Sequence, residues 1–189
     1  MKGKDPINSG DAIDSFRTAG FNVGSAICEI IDNSVEADST SIEIIVKYLP
    51  KKLNQKWPRI EKFVFIDNGH GMNNDILHNC LVLGEGTKKL SSKGIGKFGV
   101  GATLAGISQA RFLGIYSKIK TGKWLYAQLD LDLLNEGTGI LDPVEKQPPD
   151  EYTKNLDDQG TIVIWEKVDG GETQKDMEEA TNKIGRIYR

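Results

Sequence analysis

Between Gly84 and Phe98 the chain reads GEGTKKLSSKGIGKF, with four glycines, four lysines and no apolar periodicity. Regular elements stop on one side of this stretch and resume on the other, so the fold must be built around a long irregular segment. Glycine is enriched overall, at 21 of 189 residues, or about 11% against roughly 7% in an average protein. The position of those glycines therefore carries more information than their number.

Around the glycine segment the pattern alternates between helix and strand. Residues 12–19 read as a short amphipathic helix. Asn22–Ala37 reads as a stronger one, with Ile27, Ile30, Ile31, Ser34 and Val35 on one face at 3.6-residue spacing. Ser41–Leu49 and Ile60–Asp67 are β-rich, separated by the turn-like PKKLNQKWP. Asn73 or Asn74 is placed to cap a helix running to about Leu83. Gly99–Ala110 predicts a helix of small residues, and Arg111–Lys118 and Trp124–Leu131 two strands around Thr121-Gly122. Asp132–Gln159 carries eight acids and two lysines with prolines, and predicts a surface excursion. Thr161–Val168 predicts a last strand, and Glu172–Tyr188 a polar helix. Helix signals that cluster early, with adjacent strands at 111–131, favour an α+β domain with a mixed or antiparallel sheet covered on one face.

Charge and composition narrow the function. Net charge is −3, so a domain-wide basic footprint for nucleic acid is absent. No apolar run approaches the roughly 18 residues of a membrane span, and the N-terminus lacks the apolar core of a signal peptide. The expected setting is cytoplasmic or otherwise intracellular, with no membrane partner. Cys28 and Cys80 are too few for a disulfide scaffold and read as reduced core residues. Gly94–Gly99 matches G-x-G-x-x-G, yet no strand precedes it and no acid lies about 20 residues on, as a dinucleotide fold needs. Phe98 follows Lys97 where a Walker loop has Ser or Thr. His70, His78 and Cys80 lack a fourth metal ligand.

Four blocks remain. On the Asn22–Ala37 helix, Glu29 and Asn33 are four apart and share a face, as a carboxylate that polarises water and an amide oxygen suited to Mg²⁺ would. At a strand end stands Asp67-Asn68-Gly69-His70-Gly71-Met72; an Asp there accepts a hydrogen bond from an exocyclic amine, and the glycines let a base approach the backbone. Gly96-Lys97-Phe98-Gly99-Val100-Gly101 opens a helix whose exposed amides suit phosphate, with Lys88, Lys89, Lys93 and Lys97 adding positive charge. Gly160-Thr161 begins the last strand, with a hydroxyl placed to support Asp67 through water.

In order and composition these blocks resemble the GHKL ATPases, the superfamily of DNA gyrase B, the 90-kDa heat-shock chaperones, histidine kinases and MutL, with MORC proteins as relatives. Glu29-x-x-Asp32-Asn33 is similar to the N-box, Asp67-x-Gly69-x-Gly71-Met72 to the first glycine box, Gly96-x-x-Gly99-x-Gly101 to the second, and Gly160-Thr161-x-Val163 to the closing threonine motif. The resemblance covers roughly residues 20–167. It implies a Bergerat-type two-layer α/β sandwich with a mixed, mostly antiparallel sheet and helices on one face. It implies Glu29 as general base, Asn33 as Mg²⁺ ligand and Asp67 as the adenine contact assisted by Thr161. Gly69, Gly71 and Met72 would line the base. Gly96, Lys97, Phe98, Gly99, Val100 and Gly101 would wrap the triphosphate, with Lys88, Lys93 or Lys97 touching phosphate.

Residues 1–170 then form an ATP-binding domain with a lid at about 84–98, and 171–189 a helix linking to a further domain downstream. The implied activity is Mg²⁺-dependent ATP binding and hydrolysis driving lid closure and homodimerisation of a larger protein. A non-hydrolysing nucleotide-binding regulatory module is the alternative. The client, whether nucleic acid or protein, is not specified. Gly86-Thr87-Lys88 and Gly160–Trp165 resemble the MORC, chaperone and MutL side most.

Overall fold

The structure is a computed structural model and describes residues 13, 15, 17, 20–82, 101–134, 139–170 and 172–188. Five helices lie among them: α1 (Val23–Glu36), α2 (Asn74–Cys80), α3 (Gly101–Gln109), α4 (Asp150–Thr153) and α5 (Gln174–Ile187). Six strands form one sheet: β1 (Ile42–Tyr48), β2 (Ile60–Asp67), β3 (Ala110–Lys118), β4 (Leu125–Asp130), β5 (Ile140–Glu145) and β6 (Gly160–Val168). Their order is β1-β2-β6-β3-β4-β5, and every described pairing is antiparallel. The last strand thus inserts between β2 and β3, bringing residues about a hundred positions apart side by side.

Three adjacent rows on one face of the sheet show what that insertion does. Phe63, Trp165 and Leu113 stand opposite one another on β2, β6 and β3; Phe65, Val163 and Ile115 follow; Asp67, Thr161 and Ser117 complete the series. The first two rows are apolar. Trp165 is fully buried, and its indole meets the rings of Phe63 and Phe65 edge-on at 5.5 and 4.6 Å between centroids. Such pairs add to the area they bury. The third row is polar, and it marks the end of the sheet where the core opens.

Helices α1, α3 and α5 cover this face. The Asn22 side chain caps α1 by accepting from the Ser25 amide at 2.9 Å. The stripe Ala26, Ile27, Ile30, Ile31 and Ser34 is buried. Val35, expected on that stripe, is instead 56% exposed. It lies one residue, or about 100°, past Ser34, which is enough to leave the contact face. Asn73 caps α2 through the Ile76 amide, and α2 ends at Cys80, within the expected limit. The helix expected from Gly99 to Ala110 runs over Gly101–Gln109, since Ala110 already pairs with Val168 in the sheet. Helix α5 begins with a capping box between Thr173 and Asp176. It packs on α1 and contributes Met177 and Ala180 to the main core. The Tyr188 hydroxyl then donates to Asp32 Oδ1 at 2.6 Å.

The expectation of a surface excursion over 132–159 needs correction. Within it β5 pairs with β4 at the sheet edge, and α4 brings Tyr152 onto the opposite face of the sheet. There Tyr152 joins Val64, Ile66, Tyr116, Trp124, Tyr126, Ile162 and Ile164 in a second core. Strand β5 contains Pro143 and two acids, a composition that masks strand character but is tolerated where one side of the strand has no partner. Cys28 and Cys80 are free thiols, as expected. Both are half-buried rather than core residues; Cys80 packs against the main core, and burial pushes its thiol up to about 12.

Candidate functional site

Where the sheet turns polar, a cavity of about 400 Å³ opens between α1, the end of β2 and the start of α3. Its floor is apolar, formed by Leu113, Ile115, Val163 and Trp165 from the sheet, with Ile30 from α1. Its polar groups are few and convergent: Asn33, Ser34 and Glu36 from α1, Asp67 at the end of β2 and His70 after it, and Thr103 and Thr161. A largely apolar pocket with a few placed polar groups is the ordinary form of a small-molecule site.

Asp67 is the buried carboxylate of this pocket, only 8% exposed. Oδ1 accepts the Gly69 amide at 2.9 Å and Oδ2 accepts the Ser34 hydroxyl at 3.1 Å. Burial raises its pKa above 3.8; the Gly69 amide, the Ser34 hydroxyl and His70 pull the other way without cancelling it. A carboxylate has about four lone-pair sites, so beside the Gly69, Ser34 and Thr161 bonds a ligand donor still has a place to bond.

The first glycine box is shaped by backbone contacts. Gly71 has φ +70°, and a Cβ there would run into the Lys118 carbonyl. Only glycine lets the chain turn back so closely against the end of β3. The Met72 amide donates to Ser117 Oγ at 2.8 Å, and Ser117 Oγ lies 3.0 Å from Thr161 Oγ1. Asn68, by contrast, faces away: its Oδ1 accepts the amides of Thr40 and Ser41 and holds the α1–β1 connection.

Glu29 lies one turn before Asn33 on α1. Its carboxylate rests against Gly101 at the start of α3, in the space a side chain on Gly101 would fill. The absent side chain thus creates room for Glu29, and the helix N-terminus favours a negative charge there. Glu29 is not among the residues lining the cavity, whereas Asn33 is. Glu29, Asn33, Asp67, Gly69, Gly71, Met72, Gly101 and Thr161 all gather at this end of the molecule. Lys88, Lys93, Gly96, Lys97, Phe98, Gly99 and Val100, with the lid expected at 84–98, lie outside the described residues.

Ser34 and Ser117 are the site residues that sequence reasoning missed. Ser34 had a signal, since a serine on an otherwise apolar stripe needs a buried partner. Ser117 had none, because it is a single hydroxyl in a strand whose neighbours are set by the sheet order. Among the described residues no three His, Cys, Asp or Glu side chains form a metal cluster. Asn33 on the cavity wall offers one amide oxygen, which fits Mg²⁺ that takes its remaining ligands from phosphate and water.

A six-stranded antiparallel sheet with α1, α3 and α5 on one face, and a pocket at the strand end between them, defines an α+β domain with a small-molecule site among the described residues. The family model for histidine kinase-, DNA gyrase B- and HSP90-like ATPases matches residues 21–161, three quarters of the chain, and the chain belongs to that family. Its fold is that of the family's ATP-binding domain. No curated protein matches the chain.

Proposed function

We propose that this domain binds ATP with Mg²⁺ and hydrolyses it. The observation that carries the reading is the buried carboxylate of Asp67 lining an apolar cavity whose wall also holds Asn33. Asp67 would accept the exocyclic amine of adenine, with Thr161 assisting. Gly69, Gly71 and Met72 would pass alongside the base. Asn33, next to the Ser34 that bonds Asp67, would hold Mg²⁺, which supplies charge neutralisation at the phosphates. Glu29, one turn before Asn33, would accept the proton of the attacking water. One turn of helix is about 5.4 Å, so α1 runs as a ruler from the base toward the phosphates.

Gly96, Lys97, Phe98, Gly99, Val100 and Gly101 would cradle the phosphates, with Lys88 and Lys93 contributing charge, and the segment at about 84–98 would close over them. Closure excludes water and completes the site. We propose that closure is coupled to homodimerisation of a larger protein, as on the MORC and chaperone side of the family. A nucleic-acid or protein client would be engaged by other parts of that protein.

Titration calorimetry with a non-hydrolysable ATP analogue tests the binding step, with and without Mg²⁺ and beside the guanine analogue. Mg²⁺-dependent binding that prefers adenine is expected; equal affinity for guanine overturns the assignment of Asp67. Turnover tests the rest. Glu29→Gln should retain nucleotide affinity and lose about 10²–10⁴-fold in rate, the usual worth of a general base. Unchanged turnover would remove Glu29 from that role.

A further inference from the structure

Ser117 links Met72, at the end of the first glycine box, to Thr161. It is fully buried, at 0% exposure, and stands in one row with Thr161 and Asp67 across β3, β6 and β2. Its oxygen accepts the Met72 amide at 2.8 Å. Its single proton has two acceptors in reach: Thr161 Oγ1 at 3.0 Å and the Gly160 carbonyl at 3.3 Å. Thr161 is the nearer acceptor, at a distance within the usual range for hydroxyl-to-oxygen bonds of about 2.5–3.0 Å, and either hydroxyl of that pair can be the donor. With the proton on Thr161 Oγ1, Thr161 directs its own proton elsewhere, and Thr161 lines the cavity.

We propose that Ser117 is a positioning residue that sets base specificity, by holding Thr161 as a hydrogen-bond donor toward the cavity beside the acceptor Asp67. This rests on the nucleotide-binding reading above. An acceptor beside a donor is the complement of a 6-aminopurine edge, in which an amine donates and N1 accepts, directly or through one water. A 6-oxopurine edge reverses both groups. It sets a carbonyl against the Asp67 carboxylate and an N–H against the Thr161 proton. Were the Ser117 proton on Gly160 instead, Thr161 would donate to Ser117 and present only lone pairs, and the pocket would not reject the oxo edge at that position.

The test is the affinity ratio for ADP over IDP, measured by calorimetry on the whole chain. The wild-type chain should prefer ADP, and Ser117→Ala should reduce that preference about tenfold, the worth of one good hydrogen bond. A purely structural role predicts a different outcome: lower thermal stability with both affinities moved together and the ratio unchanged, which would overturn the proposal. Should Ser117→Ala fail to fold because the Met72 amide is orphaned, Thr161→Val carries the test, since it removes the donor and keeps the shape. A preserved ratio in Thr161→Val would overturn the proposal equally. When both variants fold, the double variant should show no further loss; additive losses would mean the two hydroxyls act separately and would refute the coupling. A wild-type chain that binds neither nucleotide overturns the parent reading and this inference with it, whereas preference that survives Ser117→Ala overturns this inference alone.

Discussion

Asp67 illustrates how much of this site is set by the surroundings of one residue. A carboxylate at a strand end is ordinary in a sequence; beneath α1 it becomes the buried acceptor of the pocket. Because burial raises its pKa above 3.8, the folded state binds more protons than the unfolded chain between 3.8 and the raised value. The contribution of Asp67 to stability therefore falls as pH rises through that window. Ligand binding has the opposite sign, since an adenine amine needs the carboxylate form. ATP-analogue affinity should accordingly weaken on acidification while the pH is still above 3.8, and calorimetric titrations across the acid range will place the midpoint. A midpoint at or below 3.8 would contradict the buried-acceptor role. Glu29 shows the same dependence on surroundings. Its identity was readable, but its place against Gly101 depends on how α3 begins.

At the scale of elements, the first glycine box acts as a joint between β2 and α2. Gly71 reverses the chain after β2 with positive φ and sits against the Lys118 carbonyl at the end of β3. Gly71→Ala combines left-handed backbone strain with a steric clash, and should cost about 2 kcal/mol or more. Urea denaturation measures that directly, and an unchanged midpoint would mean the turn has another conformation available. The strand and helix patterns were legible because they rest on local periodicity: α1, β1, β2, β3, β4 and β6 all lie within a few residues of the expected limits. Strand β5 was not legible. Its Ile140 and Val144 are half-exposed at the edge, so no alternation marks the segment. Its pairing with β4 is what makes it a strand.

For the whole molecule, two cores on opposite faces of one sheet divide the labour. The larger core, with Trp165 at its centre, carries the helices and the pocket floor. The smaller one, closed by Tyr152 from α4, stiffens the sheet from behind. Tyr152→Ala should therefore destabilise the domain by about 3 kcal/mol, as buried aromatic truncations do. Nucleotide affinity of the folded variant should stay within about twofold, because distant sites act independently. Thermal unfolding and calorimetry on the same variant separate the two effects, and a large loss of affinity would show that the sheet transmits strain to the pocket. Among the described residues no helix is long and apolar enough to cross a membrane.

The chain's own order of residues determined the element types and the turn at Gly71, and it pointed to Glu29, Asn33, Asp67 and Thr161 as candidate site residues, since each depends on neighbours within one or two turns or on a short motif. Only the tertiary structure decided that β6 lies between β2 and β3. That placement sets Asp67, Thr161 and Ser117 in one row, although they come from positions 67, 161 and 117. Strand order is a long-range choice made by the burial of whole faces, here around Trp165, and no local pattern encodes it.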